Sequence, residues 1–209
     1  MAVITIFGLY ATNRRVFGKA LARKLNYDYA DRDIIRELAR RANISEEYVE
    51  SYEDGRSRGM MQILSKTVSM SFIKRIIGDS AGYMDSKIYF KLLEEIVISL
   101  YKRDNIVIVG RGSHCILQGY DGAYFIKVRA EWEDRVKIAS KLLSSRVCNV
   151  EDYIDEQDKR EKKFMEYFYK VDYVDPSLFS LVINLSKVSR EEGIQQVIDL
   201  ISSNERNKI

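Results

Sequence analysis

Apolar positions run along this chain in two alternating rhythms. Val3–Phe7 is an apolar run with β-branched residues, a pattern that suits a strand covered on both faces of a parallel sheet. Arg15–Leu25 follows with helical spacing, placing Val16, Phe17, Ala20, Leu21 and Leu25 on one stripe. Tyr27–Ala30 reads as a short second strand. Asp31 is a candidate cap for the helix beginning at Arg32, because its carboxylate can accept a free backbone N–H. That helix carries Ile34, Ile35, Leu38 and Ala42. Ser45-Glu46-Glu47 predicts another helix start, with early acidic residues matching the helix dipole. Ser86–Lys102 is amphipathic, with Ile88, Leu92, Ile96 and Leu100 at four-residue steps. Asn105–Val109 is the clearest buried strand and runs into Gly110-Arg111-Gly112. Ala123–Val128 predicts a strand, and a helix with Trp132, Arg135 and Ile138 follows it. A charged helix over Val150–Phe168, a short strand at Leu181–Asn184 and a closing helix at Glu191–Ile201 complete the pattern. Alternation of strand and helix predicts an α/β domain with a mainly parallel sheet and helices on both faces.

One stretch breaks this rhythm. Between Ser51 and Asp85, Gly55, Gly59, Gly78 and Gly82 interrupt the chain, and Met60, Met61, Met70 and Met84 cluster. A mobile insertion and a loop leading into an ordinary Met-containing core helix both fit. There is no internal repeat, low-complexity tract or proline-rich linker, and the only proline is Pro176.

Bulk properties then exclude several classes. With 209 residues and 46% apolar content, the chain can bury the core of one three-layer domain. A net charge of +3, from 34 basic and 31 acidic residues, is too even for a general nucleic-acid or membrane surface. It leaves room for a local basic pocket that takes a phosphorylated small molecule. No apolar stretch reaches the length of a membrane-spanning helix, and the N-terminus reads as a first strand, not a signal peptide. Cys115 and Cys148 lie far apart and share no metal-ligand spacing with His114. They read as free thiols of a reducing cytoplasm, and no metal site is expected from protein ligands.

Ligands of parallel α/β sheets collect beyond the carboxyl ends of the strands. Three such regions carry chemistry here: Gly8–Gly18, Gly110–His114, and the segment after Val128 together with Asp155–Arg160. A phosphate loop needs glycines so that backbone N–H groups can close around an anion, usually with four spacers before glycine, lysine and a hydroxyl residue. After Gly8 and its four spacers this chain has Asn13, Arg14 and Arg15 in those places. The two arginines read either as phosphate ligands, since guanidinium matches phosphate oxygens, or as solvated residues of a helix start. His114 reads as a proton shuttle or as a loop histidine without chemistry. Tyr167, Phe168, Tyr169 and Tyr173 read as a stacking platform for a base or as packing against the sheet.

Several blocks together resemble the cytidylate-kinase-like family. They are Ile4-Thr5-Ile6 with Gly18–Leu25, Tyr29-Ala30-Asp31-Arg32-Asp33-Ile34-Ile35, and Val107–Gly112 with Ile116-Leu117. Asp158-Lys159-Arg160, Asp172–Phe179 and Leu181–Asn184 extend the likeness over nearly the whole chain. The resemblance implies a P-loop NTPase-like fold, with a helical insertion of the kind that binds a nucleoside monophosphate at about 45–85 and a lid-like segment at about 150–175. The family's Gly-Ser-Gly-Gly-Arg falls on Ala11-Thr12-Asn13-Arg14-Arg15, so its three glycines are replaced. By the same resemblance Thr12, Asn13, Arg14 and Arg15 would hold the phosphates of ATP. Asp31, Arg32 and Arg111 would bind the acceptor nucleotide. Arg15 and Arg160, with Asp158 orienting Arg160, would stabilise charge on the transferred group, aided by Mg²⁺. Arg111 also reads as half of a structural salt bridge, and Arg160 as one member of the solvated face Asp155–Lys163.

Three functional readings follow. The first is a kinase moving the ATP γ-phosphate to a pyrimidine nucleoside monophosphate such as CMP. The second is a non-catalytic nucleotide-binding or regulatory protein that has lost ATP binding. The third is kinase action on another small molecule. The expected partner in each is a small molecule, not nucleic acid or membrane, and a homodimer is open.

Overall fold

A computed structural model describes residues 2–53, 85–143, 147–173 and 175–206. Two compact units emerge, one of Met1–Asp31 with Leu100–Ile209 and one of Arg32–Ser99.

The larger unit is built on a five-stranded sheet. Its strands are β1 (Val3–Phe7), β2 (Asp28–Ala30), β3 (Ile106–Val109), β4 (Ala123–Arg129) and β5 (Leu181–Asn184). They lie in the order β2-β3-β1-β4-β5, and every neighbouring pair is parallel. This is the α/β parallel-sheet architecture that the strand–helix alternation predicts. Register sets the ends of the central strands level: Ile6 pairs with Val109 and Ile126, and Phe7 with Lys127. Their following loops therefore open on one edge.

Helix α1 (Arg14–Leu25) and the closing helix, Arg190–Arg206, bury one face of the sheet. Phe17 and Leu21 from the first and Ile194, Val197 and Ile201 from the second pack on Ile4, Ile6, Val109, Ile126 and Ile183. At roughly 1.5–3 kcal/mol for each large apolar side chain, this layer is a principal stabilising term. On the opposite face Phe7 packs against His114 and Phe179, with ring centroids 5.0 and 5.8 Å away.

The smaller unit contains α2 (Arg32–Ala42), α3 (Glu46–Glu53) and most of α4, which runs over Ser86–Arg103. The Ser45 hydroxyl accepts from the Tyr48 N–H, and the Asp85 carboxylate accepts from the Lys87 and Ile88 N–H groups. Both helix starts are thus capped by a side chain suited to the task. Inside, Tyr52 and Tyr89 lie with ring centroids 5.3 Å apart and reach Ser86 and Glu53 through their hydroxyls. Most of the expected insertion at 45–85 lies outside the described residues.

Three further α-helices belong to the larger unit among the described residues, beside a 3-10 turn at Pro176–Leu178. They are α5 (Ser113–Ile116), α6 (Trp132–Leu143) and α7 (Val150–Tyr169), which makes the closing helix α8. Asn149 caps α7 by accepting from the Glu151 and Asp152 N–H groups. The helix continues past the expected Phe168 by one residue, and Lys170 ends it in a left-handed conformation.

Candidate active site: a phosphate loop satisfied by its own side chains

The loop leaving β1 is shaped by two left-handed residues, Ala11 (φ 58°) and Asn13 (φ 60°). Those are two of the positions at which the resemblance sets glycine, and the positive φ gives the reason. Asn tolerates this region, whereas Ala gives up about 1 kcal/mol there. The buried Ala11 methyl packs with Ala139 and Ile154 and offsets part of that cost. Arg14 opens α1 in ordinary helical conformation, so glycine is not required there by the backbone. Gly8 is required sterically: a Cβ would lie 2.6 Å from the Val128 carbonyl oxygen and 2.7 Å from Thr12 Oγ1.

Polar groups of a buried loop must find partners. Here the chain's own side chains supply them. Thr12 Oγ1 donates to the Leu9 carbonyl at 2.8 Å. Arg135 Nε donates to the Tyr10 carbonyl at 2.9 Å, and the Tyr10 N–H donates to Asp158 at 3.3 Å. Arg14 turns back along the loop, donates to the Gly8 carbonyl, and pairs with Glu161 of α7 at 3.3 Å. Arg135 Nη2 lies 2.7 Å from both carboxylate oxygens of Asp158, and the Arg135 guanidinium also lies over the Trp132 ring.

A second cluster gathers beyond β2 and β3. Asp31 is buried, and its carboxylate meets Arg15 Nε at 2.9 Å, Arg111 Nη1 at 3.5 Å and the Tyr29 hydroxyl at 3.5 Å. Arg111 also donates to the Asp31 carbonyl at 3.0 Å. Burial, reinforced by the Asp31 charge, pushes the Tyr29 hydroxyl up to about 12, so it stays a donor at neutral pH. Arg111 sits in a tight turn between Gly110 and Gly112. The Tyr169 hydroxyl donates to its carbonyl at 2.6 Å, and the Tyr169 ring lies where a Gly112 Cβ would be, 2.0 Å away at its nearest atom.

The expected site residues thus divide. Thr12, Asn13, Arg14 and Arg15 form the loop and helix start, and Arg15, Asp31 and Arg111 meet in one cluster. Arg32 opens α2 in the smaller unit and is held by Glu50 at 2.6 Å. Asp158 does not orient Arg160 as the sequence suggested. Residues two apart on a helix point to different sides; Asp158 is taken by Arg135, and Arg160 pairs with Glu156 one turn back. The charged stretch Asp155–Lys163 is also not a uniformly solvated face, since Asp158 and Glu161 reach the loop.

His114 is not a loop histidine. It is 1% exposed on α5, stacked on Phe179 at 4.9 Å. Burial, with the Lys127 charge adding to it, holds its pKa down to about 3, so it stays neutral where a proton shuttle would cycle. Its folded-state pKa lies below the unfolded value near 6.5, so its contribution to stability is present above pH 6.5 and is lost as pH falls toward 3. One proton taken up on unfolding predicts a loss of about 2 kcal/mol between pH 7 and pH 5. Urea titrations at both pH values should show this loss in the wild type and its absence in His114→Phe. Equal losses in both proteins would contradict it.

Lys127 was not singled out from sequence. Lys127 donates to the Tyr173 carbonyl at 2.9 Å and lies over the Phe179 ring at 5.0 Å, and burial lowers its pKa. Cys115 is pushed up to about 12 by burial, which makes it an unreactive thiol. Among the described residues no cluster of His, Cys, Asp and Glu is arranged for a metal, and no helix is long and apolar enough to cross a membrane.

Comparison with known proteins agrees with this architecture. An uncharacterized protein from Eubacterium ventriosum superposes with a TM-score of 0.67 at 12% identity, covering 97% of this chain and 99% of that one. A gluconokinase from Sinorhizobium meliloti gives 0.57 at 9% identity, with 99% and 94% covered. A shikimate kinase from Bacteroides thetaiotaomicron gives 0.54 at 12% identity, with 96% and 98% covered. At such identities these likenesses establish the P-loop kinase-like fold. No curated protein matches the chain. The profile of the cytidylate kinase-like family matches residues 3–187, and the chain belongs to that family.

Proposed function

We propose that this kinase-like protein binds a pyrimidine nucleoside monophosphate such as CMP and does not transfer phosphate to it from ATP. One observation carries the reading: Arg14 lies on the Gly8 carbonyl with the Glu161 carboxylate against it, in the loop that would wrap a triphosphate. ATP with Mg²⁺ does not fit the residues as arranged. The place of the hydroxyl residue that usually meets Mg²⁺ is taken by Arg15, a cation engaged by Asp31, and the Thr12 hydroxyl donates to the Leu9 carbonyl. The acceptor side is better equipped. Arg15 and Arg111 present guanidinium groups, the geometry suited to a monophosphate, and Asp31 fixes both.

A second reading, active CMP kinase, is favoured by one feature. The left-handed residues at Ala11 and Asn13 keep a turned backbone of the kind that cradles anions. In that reading Arg14 swings out when ATP enters, and Arg15 and Arg160 support transfer. Calorimetric titration with CMP and with ATP–Mg²⁺, alongside an assay of ADP release with each nucleoside monophosphate, separates the two. CMP binding without ATP binding or ADP release is expected. ADP formed at a rate above that of a protein-free control would establish the kinase reading.

A further inference from the structure

We infer that Glu161 determines which anions the first loop accepts, excluding polyphosphate chains by standing in for one. This rests on the reading above, that the loop is closed by the chain's own residues. Ile154, Asp158, Glu161 and Met165 follow one another at steps of four, three and four, a single stripe of α7. Ile154 and Met165 are completely buried, so the face that α7 turns to the loop is fixed by packing at both ends. Tyr169, hydrogen-bonded to the Arg111 carbonyl, anchors its last turn.

Between those anchors the two carboxylates take the donors that a phosphate chain would need. Asp158 accepts the Tyr10 backbone N–H, and Glu161 pairs with Arg14, which occupies the place of the usual phosphate-loop lysine. The Arg14 and Glu161 side chains are only 22% and 18% exposed, so their charges are weakly screened by solvent. An incoming triphosphate must displace Glu161 from Arg14 and then lie beside a like charge. Asp158 is already neutralised by Arg135, which leaves Glu161 as the carboxylate that opposes the ligand. Removing its charge turns Arg14 from an internal partner into an anion receptor.

Full-length wild type and Glu161→Gln are titrated calorimetrically with inorganic tripolyphosphate and with ATP, both without metal. Glu161→Gln is expected to bind both at least about tenfold more tightly than wild type, the scale of one additional charge-assisted hydrogen bond. Adding Arg14→Ala to Glu161→Gln should cancel the increase. Thermal unfolding of each variant verifies that it is folded, and Glu161→Ala provides a second removal of the charge. Unchanged affinity in both Glu161 variants, tighter binding restricted to ATP, or tighter binding that survives loss of Arg14 would overturn the inference. Wild-type titration with CMP tells this failure apart from failure of the parent reading, which requires CMP to bind whatever Glu161 does.

Discussion

Replacing Asp31 by alanine is expected to lower folding stability by about 3 kcal/mol and to remove the proposed nucleoside monophosphate binding. The magnitude follows from what the substitution strands. Arg111 is 9% exposed and shares the Asp31 carboxylate with Arg15 and Tyr29. Breaking a buried pair by deleting one partner leaves an uncompensated charge and costs about 3–5 kcal/mol. The lower end applies, because Arg111 keeps its bond to the Asp31 backbone carbonyl. Arg15 is more than half exposed and adds little, since water screens its interaction. Urea denaturation reads the first effect and calorimetry the second. A stability loss below about 1 kcal/mol would show that Asp31 is not the organising group of the cluster.

Asp158→Ala should be at least as costly, about 4 kcal/mol. Both of its carboxylate oxygens accept from Arg135, whose side chain is 8% exposed, and one also accepts the Tyr10 N–H. Losing it leaves a buried guanidinium and a loop amide without that acceptor. The double variant Arg135→Leu/Asp158→Leu removes both charges together. It should cost markedly less than the sum of the single changes, because apolar replacement of a whole buried pair approaches neutrality. Additive losses would mean that the pair does not act as a unit. Since Tyr10 is held from both its N–H and its carbonyl by this pair, the same variants should loosen the first loop, measurable as faster amide exchange there.

Most of the sheet was legible because its strands are apolar and β-branched. The limits of β1 and β5 match the pattern, and those of β2, β3 and β4 shift by one residue. Most helix limits also hold to within one residue, and the last helix is the exception, running five residues past the expected Ile201 to Arg206, where the sequence is polar and carries no periodic signal. The Asp31, Arg15 and Arg111 cluster was reachable because each residue follows a recognisable strand or loop. The partners on α6 and α7 were not, since their pairing joins residues far apart in sequence. A trace of them exists nonetheless. Arg135 lies at helical spacing between Trp132 and Ile138, and Asp158 and Glu161 lie on the stripe that contains Ile154 and Met165. Charges on an apolar stripe mark buried pairs, and that reading was hidden here by the many solvated charges around them. His114 was misplaced for a related reason: nothing local reveals that Phe7 and Phe179 enclose it.

The proposed division between a usable acceptor side and a closed phosphate loop is tested most directly by a crystal structure grown with CMP and a non-hydrolysable ATP analogue with Mg²⁺. The expected density has the CMP phosphate on Arg111 and Arg15, with Arg14 still on the Gly8 carbonyl and Glu161. A triphosphate threaded through Gly8–Arg15, with Arg14 displaced, would contradict it.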